Sequence, residues 1–101
     1  MALRIEWSPS ALADVRAIGQ YIERDSAHYA TVVVRKLFAS VDHLAEFPGA
    51  SGIVPEFAMP DLRQVHVYRY RVIVRIKQDV VEVVAVIHGA RDIHSVLRRV
   101  R

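Results

Sequence analysis

The spacing of apolar and polar residues along the chain predicts one short strand, a pair of helices, three further strands and a final helix. Residues 2–7, "ALRIEW", alternate in character with Leu3 and Ile5 on one face, which is typical of a strand. The next two segments repeat apolar residues every three or four positions, so each predicts an amphipathic helix. The repeating residues are Ala11, Val15, Ile18 and Ile22 in the first segment and Ala30, Val34, Leu37, Val41 and Leu44 in the second.

Local signals mark the ends of these helices. Ser8 is placed to cap the first helix, and Pro9 stands at its first position, where the missing N–H costs nothing. Asp25 and Ser26 interrupt the apolar pattern, and "FPG" at 47–49 ends the second helix. Because the two helices are joined by about four residues, they are expected to form an antiparallel hairpin.

Strand patterns dominate after residues 48–62, which hold three prolines and two glycines and predict one long loop. "RQVHVY" and "YRVIVRIK" precede a plausible turn at 78–79, and "VVEVVAVIH" is apolar on both faces, which favours a central strand. In the second of these strands one face is predicted to be cationic, and its residues are Arg71, Ile73, Arg75 and Lys77. A helix from about Asp92, as N-cap, to Arg99 ends the chain.

The element order β-α-α-β-β-β-α predicts one α+β domain over residues 1–101. Its sheet is expected to be mainly antiparallel, with the N-terminal helical hairpin packed on it and a short C-terminal helix. Trp7 is expected to pack under the hairpin. Tyr68 and Tyr70 alternate with arginines, a composition that nucleic-acid platforms share, but they share a face with the apolar series, which favours core packing with the phenol at the rim.

Composition and charge narrow the function classes. The absence of cysteine excludes disulfides and thiolate metal sites, and no apolar run approaches the roughly 18 residues of a membrane helix. No signal peptide opens the chain, so a cytoplasmic protein without membrane attachment is expected. Residues 1–62 hold five Lys/Arg against eight Asp/Glu, whereas residues 63–101 hold nine against three. A basic second half either keeps the surface solvated or meets nucleic acid or an acidic polypeptide.

Four segments together carry a family resemblance. They are "WSPSALADVRAIGQYI", "LAEFPGASG", "DLRQVHVYRYRVIVRI" and "VIHGARD", in this order and over nearly the whole chain. The chain resembles the RelE/ParE family of bacterial toxins, the toxic halves of type II toxin–antitoxin pairs. The resemblance implies growth arrest by one of two mechanisms. RelE-like members cut mRNA on the ribosome, whereas ParE-like members, associated with plasmid stabilisation, poison DNA gyrase; both are neutralised by an antitoxin.

The ribonuclease alternative requires a base, an acid and cations that stabilise the phosphorane charge. Arg63 and Arg91 match family arginines that could clamp a phosphate. The lysines that RelE-like enzymes carry ahead of Arg63 are missing, because Lys36 and Lys77 are the only lysines of the chain and neither lies in residues 48–62. Leu97 stands where the RelE pattern places a tyrosine, and leucine can neither donate nor accept a proton.

Histidine is the remaining candidate for proton transfer, because it titrates near neutral pH. His66, His88 and His94 are the candidates in the ribonuclease alternative, although His88 is better explained by a structural hydrogen bond and the other two by exposed surface positions. His28 and His43 show no ligand spacing, so neither a metal site nor any cofactor is expected.

The favoured prediction is therefore a ParE-like toxin without catalytic residues, and the resemblance implies DNA gyrase as its target. Because the protein is basic, its ParD-like antitoxin is expected to be acidic, disordered alone and folded on binding, giving a hetero-oligomer. The alternative to this gyrase inhibitor is a RelE-like mRNA endonuclease. Residues predicted to contact the target or the antitoxin are Arg63, Arg71, Arg75, Arg91, Arg98 and Arg99. Arg91 is notable because a cation at the start of a helix opposes the helix dipole.

Overall fold

The computed structural model describes residues 2–100 and has the predicted α+β architecture. Strand β1 precedes the hairpin of helices α1 and α2, four further strands follow, and a one-turn helix, α3, ends the domain. The bounds are β1 Arg4–Trp7, α1 Pro9–Glu23, α2 Ala27–Ala39, β2 Gly52–Ile53, β3 Leu62–Val67, β4 Tyr70–Ile76, β5 Val80–His88 and α3 Val96–Arg99.

The five strands form one sheet in the order β1-β5-β4-β3-β2. All neighbours are antiparallel except β1, which runs parallel to β5, so the prediction of a mainly antiparallel sheet is confirmed. β1 pairs only with the first four residues of β5, from Val80 to Val83. The pairing of β4 with β5 is interrupted by a bulge, because β5 carries an extra residue opposite the step from Ile73 to Val74. The outer edge of β5 is therefore free of β1 beyond Val83.

The main core lies between the helical hairpin and one face of the sheet. Val15 of α1 and Leu37 of α2 are buried against Val72, Val74 and Val83 of the central strands. The ring of Trp7 lies 4.8 Å from that of Phe38 of α2, so the predicted packing of the tryptophan against the hairpin is confirmed. Tyr70 packs half-buried at the edge of this core, also as predicted, but the same prediction is wrong for Tyr68, which stays 52% exposed in the turn after β3.

The opposite face of the sheet carries a second apolar core, which corrects the prediction of an exposed cationic face. Ile73 of β4 is fully buried there with Leu62 and Val84, and Arg71 retains only 6% of its exposure. The chain itself supplies the cover, because residues 54–62 and α3 fold over this face and contribute Val54 and Val96. Strand periodicity showed which residues share this face but not what lies above it.

Three local predictions differ from the structure. Helix α2 ends at Ala39, where the hydroxyl of the C-cap residue Ser40 donates to the carbonyl of Leu37 (2.6 Å), and Leu44 reaches the core from a 3₁₀ turn instead. The predicted long loop contains the two-residue strand β2, paired with β3. Asp92 has φ +58° and makes no side-chain cap, so a 3₁₀ turn separates it from α3. None of the helices within residues 2–100 is long and apolar enough to cross a membrane.

Candidate functional site

A groove of about 550 Å³ opens where β5 extends past β1. Helix α1 forms one wall, the end of β5 forms the floor, and the segment leading into α3 forms the other wall. We call it the α1–β5 groove. Its polar and aromatic lining residues are Asp14, Tyr21, Tyr70, His88, Arg91, Asp92, Ser95 and Arg99.

An ion pair closes part of the free edge of β5 inside this groove. The Asp14 carboxylate accepts the backbone N–H of Val86 (2.9 Å), and Arg99 donates to that carboxylate (2.7 and 3.2 Å) and to the carbonyl of Val84 (3.0 Å). The hydrogen bonds from Arg99 to Asp14 raise the pKa of the guanidinium. Two side chains thus replace the strand partner that β1 does not provide, and they also fasten α3 to α1. Arg99, predicted as a contact residue, has its charge compensated by Asp14, although its side chain remains 29% exposed.

Arg91 is the predicted site residue that the fold leaves available in this groove. Gly89, with φ +61°, turns the chain at the end of β5, and its N–H donates to the carbonyl of Arg69 (2.9 Å). The N–H of Arg91 then donates to the carbonyl of His88 (3.1 Å), which places the arginine on the rim. Its side chain is exposed and, within residues 2–100, lies within ion-pair distance of no carboxylate.

Tyr70 and His88 lie next to each other on the groove floor. They are cross-strand partners, and the two rings meet edge to face with their centroids 5.3 Å apart. Burial is the main cause that raises the pKa of the Tyr70 phenol, with Tyr29 and Tyr21 adding to the effect, so the hydroxyl remains protonated at neutral pH. The His88 side chain is exposed, and the hydrogen bonds that fix this strand exit are made by the backbone.

Arg71 is the centre of a buried polar network on the other face of the sheet. Its guanidinium binds both oxygens of Glu56 (2.6 and 2.9 Å), and it also donates to the Gln64 side chain (2.8 Å) and to the carbonyl of Gly89 (3.2 Å). The hydrogen bond from Arg71 lowers the pKa of Glu56 to about 2. This network ties the 54–60 segment to the sheet and to the turn that presents Arg91. Its burial argues against the predicted role of Arg71 in contacting a partner.

Arg75 and Arg63 are also used within the fold. Arg75 donates to the Asp61 carboxylate (3.2 Å) and to the carbonyl of Val100 (2.9 Å), so it links the long loop to the C-terminal segment. Arg63 places two donors on the carbonyl of Ser51 (3.2 and 2.8 Å). Sequence reasoning missed the acceptors, because Glu56, Asp61 and Ser51 lie in a proline-rich segment that carries no periodic signal. Arg98, in contrast, is exposed on α3.

The histidines of the ribonuclease alternative are spread over both faces of the sheet. His88 lies beside Tyr70 on the helical side. His66 pairs in register with Arg71 on the opposite face, where its ring lies 3.4 Å from the Gln64 amide. His94 contacts Phe57, which packs on the second core. The fold therefore brings together His88 and Arg91 but not the whole predicted set. Within residues 2–100 no cluster of three histidine or acidic side chains could hold a metal ion.

Two solved structures, one of a ParDE system and one of the toxin RelE, have a similar fold. The structure of a chromosomal ParDE toxin–antitoxin system from P. aeruginosa superposes with a TM-score of 0.72 at 18% identity, covering 87% of this chain and 97% of that one. A mutant of the E. coli toxin RelE in the free state gives a TM-score of 0.71 at 21% identity, with both chains covered completely. At these identities the similarity shows the fold alone.

The sequence comparisons establish the family. The model of the ParE toxin of the type II toxin–antitoxin system parDE matches residues 5–93. A protein of Sinorhizobium fredii (strain NBRC 101917 / NGR234) named "Putative toxin Y4kP" is 34% identical over 99 residues, which are 93% of this chain and 96% of that protein. The chain belongs to the ParE toxin family of the RelE/ParE superfamily.

Proposed function

We propose that this toxin arrests growth by binding DNA gyrase without catalysing a reaction, and that a ParD-like antitoxin neutralises it in the cytoplasm. The proposal rests on where the fold places the candidate catalytic groups. Arg63 is bound to a backbone carbonyl, His66 and His94 lie across the sheet from His88, and Leu97 supplies no proton donor. A surface that offers charge and aromatic rings, with the predicted histidines divided between the two faces of the sheet, suits binding better than hydrolysis.

The antitoxin partner follows from the charge that the fold leaves free. The chain carries a formal net charge of +3, and Arg91 and Arg98 project from neighbouring parts of the C-terminal segment. An acidic segment of the antitoxin that folds on binding would pair with these arginines, and the opposite charges would steer association. Co-expression with the small acidic protein encoded beside the toxin should restore growth and yield a hetero-oligomer that co-purifies.

The mechanism is tested by expressing the toxin alone from an inducible promoter. A gyrase inhibitor induces the DNA-damage response, and purified toxin then makes gyrase accumulate cleaved plasmid DNA while transcripts stay intact. Arg91→Ala should weaken both effects because the groove loses its free guanidinium. Arg4→Ala is the matched control, since Arg4 is also exposed but lies at the start of β1 and makes only exposed ion pairs. Full toxicity with no gyrase cleavage would refute the target.

One geometric feature favours a second candidate function, an mRNA endonuclease. Tyr70, His88 and Arg91 line the same groove, where the phenol would act as the acid, the imidazole as the base and the guanidinium as the phosphate clamp. Under this alternative, purified toxin or toxin with ribosomes cleaves transcripts and leaves plasmid DNA whole. His88→Ala must then abolish the cleavage while the fold is retained. RNA cleavage that depends on His88 would replace the gyrase proposal.

A further inference from the structure

The fold gathers all four tyrosines of the chain at one end of the molecule. Tyr21 lies near the end of α1, Tyr29 in the first turn of α2, Tyr68 in the turn between β3 and β4, and Tyr70 at the start of β4. The rings of Tyr29 and Tyr68 lie 6.5 Å apart, and Tyr21 and Tyr70 line the same groove. We call these four residues the tyrosine end. Residues separated by up to 49 positions along the chain thus form one surface.

Core packing accounts for only one of the four rings. Tyr70 packs against the main core. Tyr21, Tyr29 and Tyr68 remain 68%, 49% and 52% exposed, values that rank among the largest of the apolar and aromatic side chains in residues 2–100. A soluble domain gains nothing for its folding from three adjacent exposed rings, so this cluster indicates a binding surface.

Tyr68 adds evidence from its backbone. It adopts φ +54°, a left-handed conformation that an aromatic residue rarely adopts and that glycine or asparagine would adopt with less strain. The turn between β3 and β4 does not bury the ring, so the fold does not explain why a tyrosine occupies this position. Strain retained at an exposed aromatic residue is typical of functional sites.

Cations lie among these rings without carboxylates to neutralise them. The Lys36 ammonium is 5.1 Å from the centre of the Tyr68 ring, and the Arg24 guanidinium is 5.9 Å from that of Tyr21. Neither cation takes part in an ion pair among the described residues. Arg69 is exposed in the same turn as Tyr68. The nearest acidic residues in sequence, Glu23 and Asp25, flank Arg24, and Glu23 lines a separate groove on the outer face of the hairpin.

We propose that the tyrosine end binds single-stranded DNA. Exposed rings stack on unpaired bases of any sequence, and interleaved lysine and arginine side chains neutralise the phosphates between them. Duplex DNA hides its bases from such rings, and an acidic peptide would use the cations but leave the ring faces without partners. The choice of DNA over RNA rests on the proposed function, because a toxin directed at gyrase meets DNA at its target.

Fluorescence anisotropy with a labelled oligothymidylate of about twelve nucleotides tests the proposal without gyrase. Purified toxin should bind saturably, and affinity should fall roughly tenfold between about 50 and 200 mM salt. Tyr68→Ala should weaken binding about tenfold, whereas Phe47→Ala should not, since Phe47 is 64% exposed but lies outside the tyrosine end.

Lysine substitutions provide a second measurement that does not alter the turn. Lys36→Gln should weaken binding and flatten the salt dependence, whereas Lys77→Gln should do neither, because Lys77 pairs with Glu82 on another part of the sheet. Equal losses for Tyr68→Ala and Phe47→Ala would overturn the proposal. Binding of a polyglutamate peptide with the same dependence on Tyr68 would also overturn it. So would oligouridylate that binds ten times more tightly than oligothymidylate, a difference of ~1.4 kcal/mol in binding free energy. If the toxin does not bind oligothymidylate but still makes gyrase accumulate cleaved DNA, DNA binding by the tyrosine end is refuted and the gyrase proposal is not.

Discussion

The ion pair between Glu56 and Arg71 should determine whether the 54–60 segment stays folded on the sheet. Glu56→Gln keeps the shape of the side chain but removes the charge that Arg71 faces. The guanidinium, only 6% exposed, would then keep the neutral acceptors Gln64 and Gly89 and lose its counter-charge. Removing one partner of a buried pair is costly because the remaining charge has no compensation.

The expected magnitude follows from the geometry and the exposure of the pair. Breaking a fully buried pair costs about 3–5 kcal/mol. The Glu56 side chain is 28% exposed, so solvent screens part of the interaction, and we expect Glu56→Gln to lower the free energy of unfolding by about 2 kcal/mol. For a domain of this size that corresponds to a fall of about 10 °C in Tm.

Urea and thermal unfolding followed by circular dichroism measure this loss. Glu46→Gln is the matched control, because Glu46 is exposed and makes no ion pair among the described residues, so it should change stability by less than about 0.5 kcal/mol. A double-mutant cycle with Arg71→Met isolates the pair and should give a coupling of about 2 kcal/mol. A Glu56→Gln protein as stable as the Glu46→Gln control, or a coupling near zero, would refute the reasoning.

Three further predictions concern pH, the sheet edge and a turn. In the folded protein the pKa of Glu56 is lowered to about 2, so the Glu56 carboxylate contributes fully to the free energy of unfolding above pH 4.5, its ordinary pKa, and this contribution is lost as pH falls towards 2. The difference in stability between wild type and Glu56→Gln should therefore shrink with acidification. Asp14→Ala should cost about 1–3 kcal/mol and increase the hydrogen exchange of the Val86 amide, which loses its acceptor; unchanged protection would contradict the edge closure. Gly89→Ala should lower the free energy of unfolding in urea by about 1 kcal/mol, because alanine is strained at the positive φ of this position although the added methyl group meets open space. Gly49→Ala, whose methyl group also meets open space, should be neutral, and equal effects of the two substitutions would exclude strain as the cause.

The elements with regular periodicity were predictable from the sequence. The three- and four-residue spacing of Val15, Ile18 and Leu37 identifies the faces that α1 and α2 bury, because those spacings are set by helix geometry. Alternation in β4 likewise separates Val72 from Arg71. The end of α2 was not predictable, since Val41, just before a 3₁₀ turn, and Leu44, within it, are fully buried at positions that also fit a continued helix.

The candidate site was predictable only in part, because its geometry depends on contacts between distant segments. Arg91 was identified from its position after the last strand, and the structure places it on the groove rim. The clamp between Asp14 and Arg99 joins residues 85 positions apart, and no local pattern signals it. Tyr29 and Tyr68 show the same limit. No local pattern relates the two residues, and only the folded chain brings their ring centroids to 6.5 Å.

The arginine content of the chain has a structural explanation that changes how its charge bears on function. Arg71, Arg75 and Arg99 each bind a carboxylate and a backbone carbonyl at once, which a planar guanidinium with five donors can do and a lysine ammonium does less well. These three contribute little positive potential outside the molecule because their charges are compensated. An excess of arginine in the second half is therefore weak evidence for a nucleic-acid partner when taken alone. The cations that remain for recognition are those that meet no carboxylate within residues 2–100, and Lys36 and Arg91 among them lie beside the tyrosine end or on the groove rim.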